Sequence, residues 1–205
     1  RILKLDKISM FYNKRQILNN LNLEINRQEI LGMLGPNGVG KSTIFHIITG
    51  LKDPSFGKVV INGVDCTNIP IYERASKFKI GYVPQHGGFI QDLTLMENLK
   101  LVGEIHIKDK HLRNEKIEKV IAQFEFDPLL KIKAKYLSGG QKKKLVIAMT
   151  LINDPSILLL DEPFAALDIL TIKMLQEIIV NLQSLEKNHS SCMWSSSKRF
   201  TKLRR

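Results

Sequence analysis

The sequence predicts an α/β protein: a parallel core with an antiparallel β portion at its N-terminal end, an inserted helical lobe, and the last core strands missing. Three observations predict it. A glycine-rich octapeptide, Gly35-Pro36-Asn37-Gly38-Val39-Gly40-Lys41-Ser42, separates a strand-like segment from a helix-like one. The apolar run over residues 156–160 has the composition of a parallel strand buried on both faces. Between them, over residues 95–122, lysines and glutamates are interspersed with apolar residues at helical spacing. With 205 residues the chain suits one domain with a lobe. The expected division is 1–86 plus 154–186 as the core, 87–153 as the lobe, and 187–205 as a basic tail.

Taken in order, residues 2–12 place Ile2, Leu5, Ile8 and Met10 like the inward face of a half-buried strand, and Asn13-Lys14 marks a turn. Strands follow at 21–25 and 29–34, the second running straight into the glycine-rich loop. Lys41 to Thr49 reads as a helix with Ile44, Phe45, Ile47 and Ile48 toward a core, ended by Gly50. Short strands at 58–61 and 80–83 flank Asn62-Gly63, a hairpin-type turn. A helix is expected from Ser138, and another over 171–185 with Ile172, Leu175, Ile178, Ile179, Leu182 and Leu185 on one face.

Composition narrows the function classes. Hydrophobic residues make up 43% and charged residues 25%, a globular mixture that argues against wholesale disorder. The densest apolar run is far too short for a membrane span, and no secretory h-region opens the chain. Cys66 and Cys192 are too few for a disulfide or zinc framework, which fits a reducing compartment. The net charge of +11 invites a nucleic-acid reading, but six basic and no acidic residues fall in 187–205, leaving +5 for residues 1–186. An excess concentrated on a tail is not an interface, so no specific nucleic acid is expected.

The octapeptide matches G-x4-G-K-[ST]. Its glycines let consecutive N–H groups turn inward around an anion, and the helix start adds partial positive charge. Lys41 is expected to reach the β- and γ-phosphates and the Ser42 hydroxyl to ligate Mg²⁺, with Thr43 a further hydroxyl. Gly35, Asn37, Gly38 and Gly40 complete the expected ATP cradle. The strand ending in Asp161-Glu162 delivers two carboxylates where open α/β sheets bind ligands. Asp161 suits Mg²⁺ coordination through water, and Glu162 suits orienting or deprotonating an attacking water.

Leu137-Ser138-Gly139-Gly140-Gln141, followed by a basic helix and upstream of Leu158-Leu159-Leu160-Asp161-Glu162-Pro163, resembles the ATP-binding cassette (ABC) ATPases. The resemblance covers nearly everything up to Leu185, with five motifs in family order. It implies that Tyr12 stacks on adenine, the alternative being plain packing at a strand end. It implies that Gln85 approaches Mg²⁺ or water and senses a membrane subunit, the alternative being an exposed loop glutamine. Ser138, Gly139, Gly140 and Gln141 would face the γ-phosphate bound to a second protomer, and Asp168 would lie at that interface. The implied partners are a second copy, head to tail, and transmembrane transporter subunits docked on the helical lobe. The implied place is peripheral, on the cytoplasmic face of the inner membrane. The implied chemistry is ATP hydrolysis used as a conformational switch.

Finer resemblance, in Pro70-Ile71-Tyr72-Glu73-Arg74-Ala75, Ile80-Gly81-Tyr82-Val83-Pro84-Gln85 and Asp161-Glu162-Pro163-Phe164-Ala165, is to the ATPases of bacterial lipopolysaccharide-export systems. Gln141-Lys142-Lys143-Lys144 and Ala166-Leu167-Asp168-Ile169 depart from that pattern. ATPases of branched-chain amino-acid importers are the alternative.

The family also carries a switch histidine after a further buried strand. His189 follows Glu186-Lys187-Asn188 and not an apolar strand, so it does not fit. Codons compatible with residues 187–204, read one nucleotide later, can encode a β-branched run ending in two histidines. The tail is therefore expected to be out of frame and structureless, leaving a truncated cassette with weakened ATP binding and little turnover.

Overall fold

The computed structural model describes residues 1–184 and 191–196. Among the described residues, eight strands form two four-stranded sheets. The first is antiparallel, in the order β2-β1-β4-β5. It contains β1 (Leu3–Tyr12), β2 (Arg15–Ile25), β4 (Phe56–Ile61) and β5 (Val64–Asp65). Asn13, with φ of 53°, turns β1 into β2. The second sheet is parallel, in the order β3-β8-β7-β6, from β3 (Ile30–Leu34), β6 (Ile80–Val83), β7 (Ile157–Leu160) and β8 (Ser191–Ser196).

The parallel sheet is covered on both faces, which is why β7 is apolar without alternation. Ile157 and Leu159, with Met193 of β8, pack with the antiparallel sheet and with α1 (Lys41–Thr49) through Phe45, Ile47 and Ile48. Leu158 and Leu160, with Cys192 and Trp194, face the opposite core. There they meet α3 (Leu95–His106), α4 (Lys110–Phe124), α5 (Gly139–Leu151) and α6 (Ile169–Ser184). Burial on that face pushes the Cys192 thiol up to about 12. No helix of the described residues is long and apolar enough to cross a membrane.

Three expectations change. The hairpin at Asn62-Gly63 forms, but its second arm is β5; β6 belongs to the other sheet. Eight residues of α2 (Ile71–Phe78) intervene, a helix too short to announce itself by periodicity. The helical stretch at 95–122 is two helices, because Asp109 accepts from the Leu112 N–H and starts α4. The largest change concerns the segment expected to be structureless. Ser191–Ser196 is a fully buried strand between β3 and β7, paired with both in parallel. Its serines suit that position because their hydroxyls are satisfied: Ser191 donates to the Asn26 carbonyl and Ser195 to Asp161. Trp194 sits opposite Gly32, where any Cβ would come within 2.9 Å of the indole. His189 and the rest of the tail lie outside the described residues.

Candidate functional site

The glycine-rich loop joins β3 to α1 at the C-terminal end of the parallel sheet. Gly38 and Gly40 have φ of 82° and 98°, a region that disfavours side chains. At Gly40 a Cβ would also come within 3.0 Å of Ile17 and Leu18 methyl groups. No acidic residue occupies the first turn of α1, so its positive end is not neutralised there. Lys41, 9% exposed, folds back over the loop. Its Nζ donates to the carbonyls of Gly35 (2.5 Å) and Pro36 (2.8 Å) and lies 3.7 Å from Glu162 Oε1.

A cavity of about 400 Å³ opens over this loop. Tyr12, Asn37, Gly38, Gly40, Lys41, Ser42, Thr43, Gln85 and Glu162 line it, as does Ile17, which sequence reasoning does not single out. Gly35 contributes its carbonyl to Lys41 and its N–H to the Ser196 carbonyl. Tyr12 already carries a cation: Lys52 Nζ donates to its hydroxyl and lies 4.3 Å from the ring centroid.

The two carboxylates at the end of β7 differ. Glu162 reaches the cavity from a left-handed backbone, φ 49°, a strain of the kind found at working sites. Asp161 is buried and does not line the cavity. Its Oδ1 accepts from Ser195 Oγ at 2.8 Å and its Oδ2 from the Tyr82 hydroxyl at 3.4 Å. Burial and the adjacent Asp161 push the Tyr82 phenol well up, so it remains a donor. The same hydroxyl lies 3.4 Å from His46 Nε2, and burial lowers the His46 imidazole.

Gln85 is held through its backbone. Lys143 of α5 donates to the carbonyls of Pro84 (3.1 Å) and Gln85 (2.9 Å), and burial lowers the Lys143 ammonium. Gly88 comes so close to α5 that a Cβ would stand 2.9 Å from Val146.

Ser138 and Gln141 do not join the cradle of their own chain. They form a capping box at the start of α5: Ser138 Oγ accepts from the Gln141 N–H (3.2 Å) and Gln141 Oε1 from the Ser138 N–H (2.9 Å). Between them Gly139 faces open space. Asp168 likewise starts α6, accepting from the Thr171 N–H and hydroxyl, which hold its carboxyl below the usual range. Gly140 lies against Thr171, so the two helix starts are neighbours.

Residues 18–165 match the ABC transporter family. The chain belongs to that family. An ABC transporter ATP-binding protein of Rhizobium meliloti is 39% identical over 84% of this chain, which spans 64% of that relative's length. The lipopolysaccharide export system ATP-binding protein LptB of Haemophilus influenzae is 37% identical over 89% of this chain and 76% of its own. The spermidine/putrescine import ATP-binding protein PotA of Acetivibrio thermocellus is 33% identical over 91% of this chain and 51% of its own. Among solved structures, a dimeric ATP-binding cassette in a post-hydrolysis state, bound to ADP and Pi, superposes with a TM-score of 0.85 at 28% identity, covering 96% of this chain and 88% of that one.

For an ABC cassette the donors present suit magnesium: the Ser42 hydroxyl, the Gln85 amide oxygen and the Asp161 carboxylate are hard oxygen ligands. Among the described residues no cluster of three or more His, Cys, Asp or Glu could hold a metal alone. A magnesium ion would therefore draw its remaining ligands from phosphate and water. Three residues that hold this cassette's site are missed by motif reading: Tyr82, Lys143 and Ser195. The only signal for Tyr82 is its position on the strand leading to Gln85.

Proposed function

We propose that this chain is the ATP-binding and ATP-hydrolysing subunit of an ABC transporter. The observation that carries the reading is the cavity in which Lys41 and Glu162 face each other across the glycine-rich loop. Phosphate oxygens would replace the loop carbonyls on Lys41, and Glu162 would then be freed to orient the attacking water. Gln85 and Ser42 would attend the magnesium ion, with Asp161 acting through water. Tyr12 would stack on the adenine once Lys52 moves aside.

A homodimer is supported by the dimeric cassette to which the chain is similar. Ser138, Gly139, Gly140, Gln141 and Asp168 lie at helix starts outside their own cradle and would close on the nucleotide of a second copy. Residues 87–153 would act as the lobe that receives the transmembrane subunits. A groove of about 690 Å³ between α2, β6 and the lobe, lined by Tyr72, Val102, Ile105 and Met149, offers them apolar surface. The chain would then sit peripherally on the cytoplasmic face of the membrane. For cargo, lipopolysaccharide export is supported by the LptB relatives of Haemophilus influenzae and Escherichia coli, at 37% and 32% identity. An importer is supported by the polyamine-importer relative at 33%.

A second reading, a cassette that binds nucleotide but scarcely turns it over, is supported by Ser195 and Ser196: neither side chain at the end of β8 is a base. One experiment separates the two. Wild type is assayed for ATP turnover, and Glu162→Gln is sedimented with ATP and magnesium. Turnover in the wild type, with an ATP-dependent dimer in the variant, is expected. Binding without turnover supports the second reading, and no ATP binding overturns both.

A further inference from the structure

Ser195 is fully buried, 0% exposed, on a strand far in sequence from the glycine-rich loop. Its hydroxyl makes two bonds of opposite sense, donating to Asp161 Oδ1 at 2.8 Å and accepting from the Glu162 N–H at 3.1 Å. A hydroxyl has one proton. Because a backbone N–H can only donate, that proton belongs to Asp161, and the polarity of the bridge is fixed.

The bridge meets two needs. The Glu162 N–H is buried and sits on a left-handed backbone, where no strand ladder serves it; a buried amide without an acceptor is destabilising. Asp161 is a buried carboxylate whose usefulness depends on which way its oxygens point. Ser195 holds one oxygen and Tyr82 the other. The next residue, Ser196, accepts through its carbonyl from the Gly35 N–H at 3.2 Å. Two successive residues of β8 thus tie the acidic pair to the first residue of the phosphate loop.

We propose that Ser195 is a positioning residue for the nucleotide site: it orients Asp161 toward the magnesium ion of bound ATP and fixes the Glu162 backbone. The proposal rests on the ATP reading of the cavity. A hydroxyl that served only to fill space would affect ATP affinity equally with and without the metal. One that orients the metal ligand would act on the metal-dependent part alone.

The test is a fluorescence titration with methylanthraniloyl-ATP, run in EDTA and in magnesium, on the full chain and on Ser195→Ala, Ser195→Thr and Ser195→Cys. In the wild type, magnesium is expected to tighten binding. In Ser195→Ala the EDTA affinity should stay within about twofold, and the gain from magnesium should shrink roughly ten- to hundredfold, the scale of one hydrogen bond to a charged group. Ser195→Thr keeps the donor and should restore the gain. If Ser195→Ala does not fold, Ser195→Cys, similar in shape but a weak donor, is read in its place.

A wild type that binds no nucleotide overturns the ATP reading and this proposal with it. A wild type with a magnesium gain that the alanine or cysteine variant fully retains overturns this proposal alone. Equal weakening in EDTA and in magnesium also overturns it, because the role is then structural.

Discussion

Two buried cations, Arg74 and Lys41, show how the molecule uses the same chemistry for opposite ends. Both are held chiefly by main-chain carbonyls. Arg74 on α2 is 1% exposed, and its guanidinium donates to the carbonyls of Ile47, Ile48, Thr67 and Ile69. Two of these lie in the last turn of α1, where carbonyls point outward and the helix dipole favours a cation. Gly50 makes room, since a Cβ there would stand 2.9 Å from the guanidinium carbon. Lys41 sits at the other end of the same helix, held by two loop carbonyls and opening on a cavity. The difference is the replaceability of the acceptors. Those of Arg74 are locked by packing, whereas those of Lys41 belong to a loop with room for another anion beside it. Arg74 is thus sealed in the core, whereas Lys41 can exchange its partners with whatever enters the cavity.

The comparison can be broken most sharply at Arg74. Arg74→Met should destabilise the fold by about 3 kcal/mol or more, because several buried carbonyls lose their donor together. Urea unfolding measures it, and a variant as stable as the wild type would show that water replaces the guanidinium. Lys41→Ala should do the reverse. Its urea midpoint should move less than that of Arg74→Met, while ATP turnover falls on the order of 10²- to 10³-fold, the usual loss when a phosphate-stabilising charge is removed.

The smallest effect sharpens the contrast with a group that neither role keeps charged. Burial lowers the His46 imidazole below its ordinary 6.5, with Lys52 adding to the shift. Between that lowered value and 6.5 the unfolded chain binds more protons than the folded one, so stability rises with pH there and is flat above. The stability contribution is present above 6.5 and is lost as pH falls below it. His46→Asn should flatten the acid side of a plot of urea midpoint against pH; an unchanged slope would rule His46 out as its source.

What was legible in the sequence is what is chemically local. Gly35 to Ser42 and Asp161-Glu162 carry their meaning in contiguous residues; the cavity brings Glu162 to the loop, whereas Asp161 is buried and does not line it. Gln85 too could be placed from its neighbours. Ser138 and Gln141 were legible as a helix start, although the reciprocal bonds between them appear only in three dimensions. Tyr82, Lys143 and Ser195 were not legible, because each acts on a partner that lies 79, 58 or 34 residues away. β8 failed for a related reason. Ser-Cys-Met-Trp-Ser-Ser has no apolar run and no alternation, and what makes it a strand is a slot between two strands that both need a neighbour. Turn chemistry at Asn62-Gly63 was correct, but a turn says nothing of which sheet a later strand joins.

That slot imposes an order of events during synthesis. Among the described residues β3, the strand that leads into the phosphate loop, pairs with β8 alone. The link closing this junction, from Ser191 to Asn26, spans 165 residues. A nascent chain on the ribosome therefore carries an unfinished loop and an unpaired β3 until β8 has been made. Contacts of such range form slowly, and an open strand can recruit the wrong partner meanwhile. The nucleotide site would then be completed only after β8 is made, long after its defining motif.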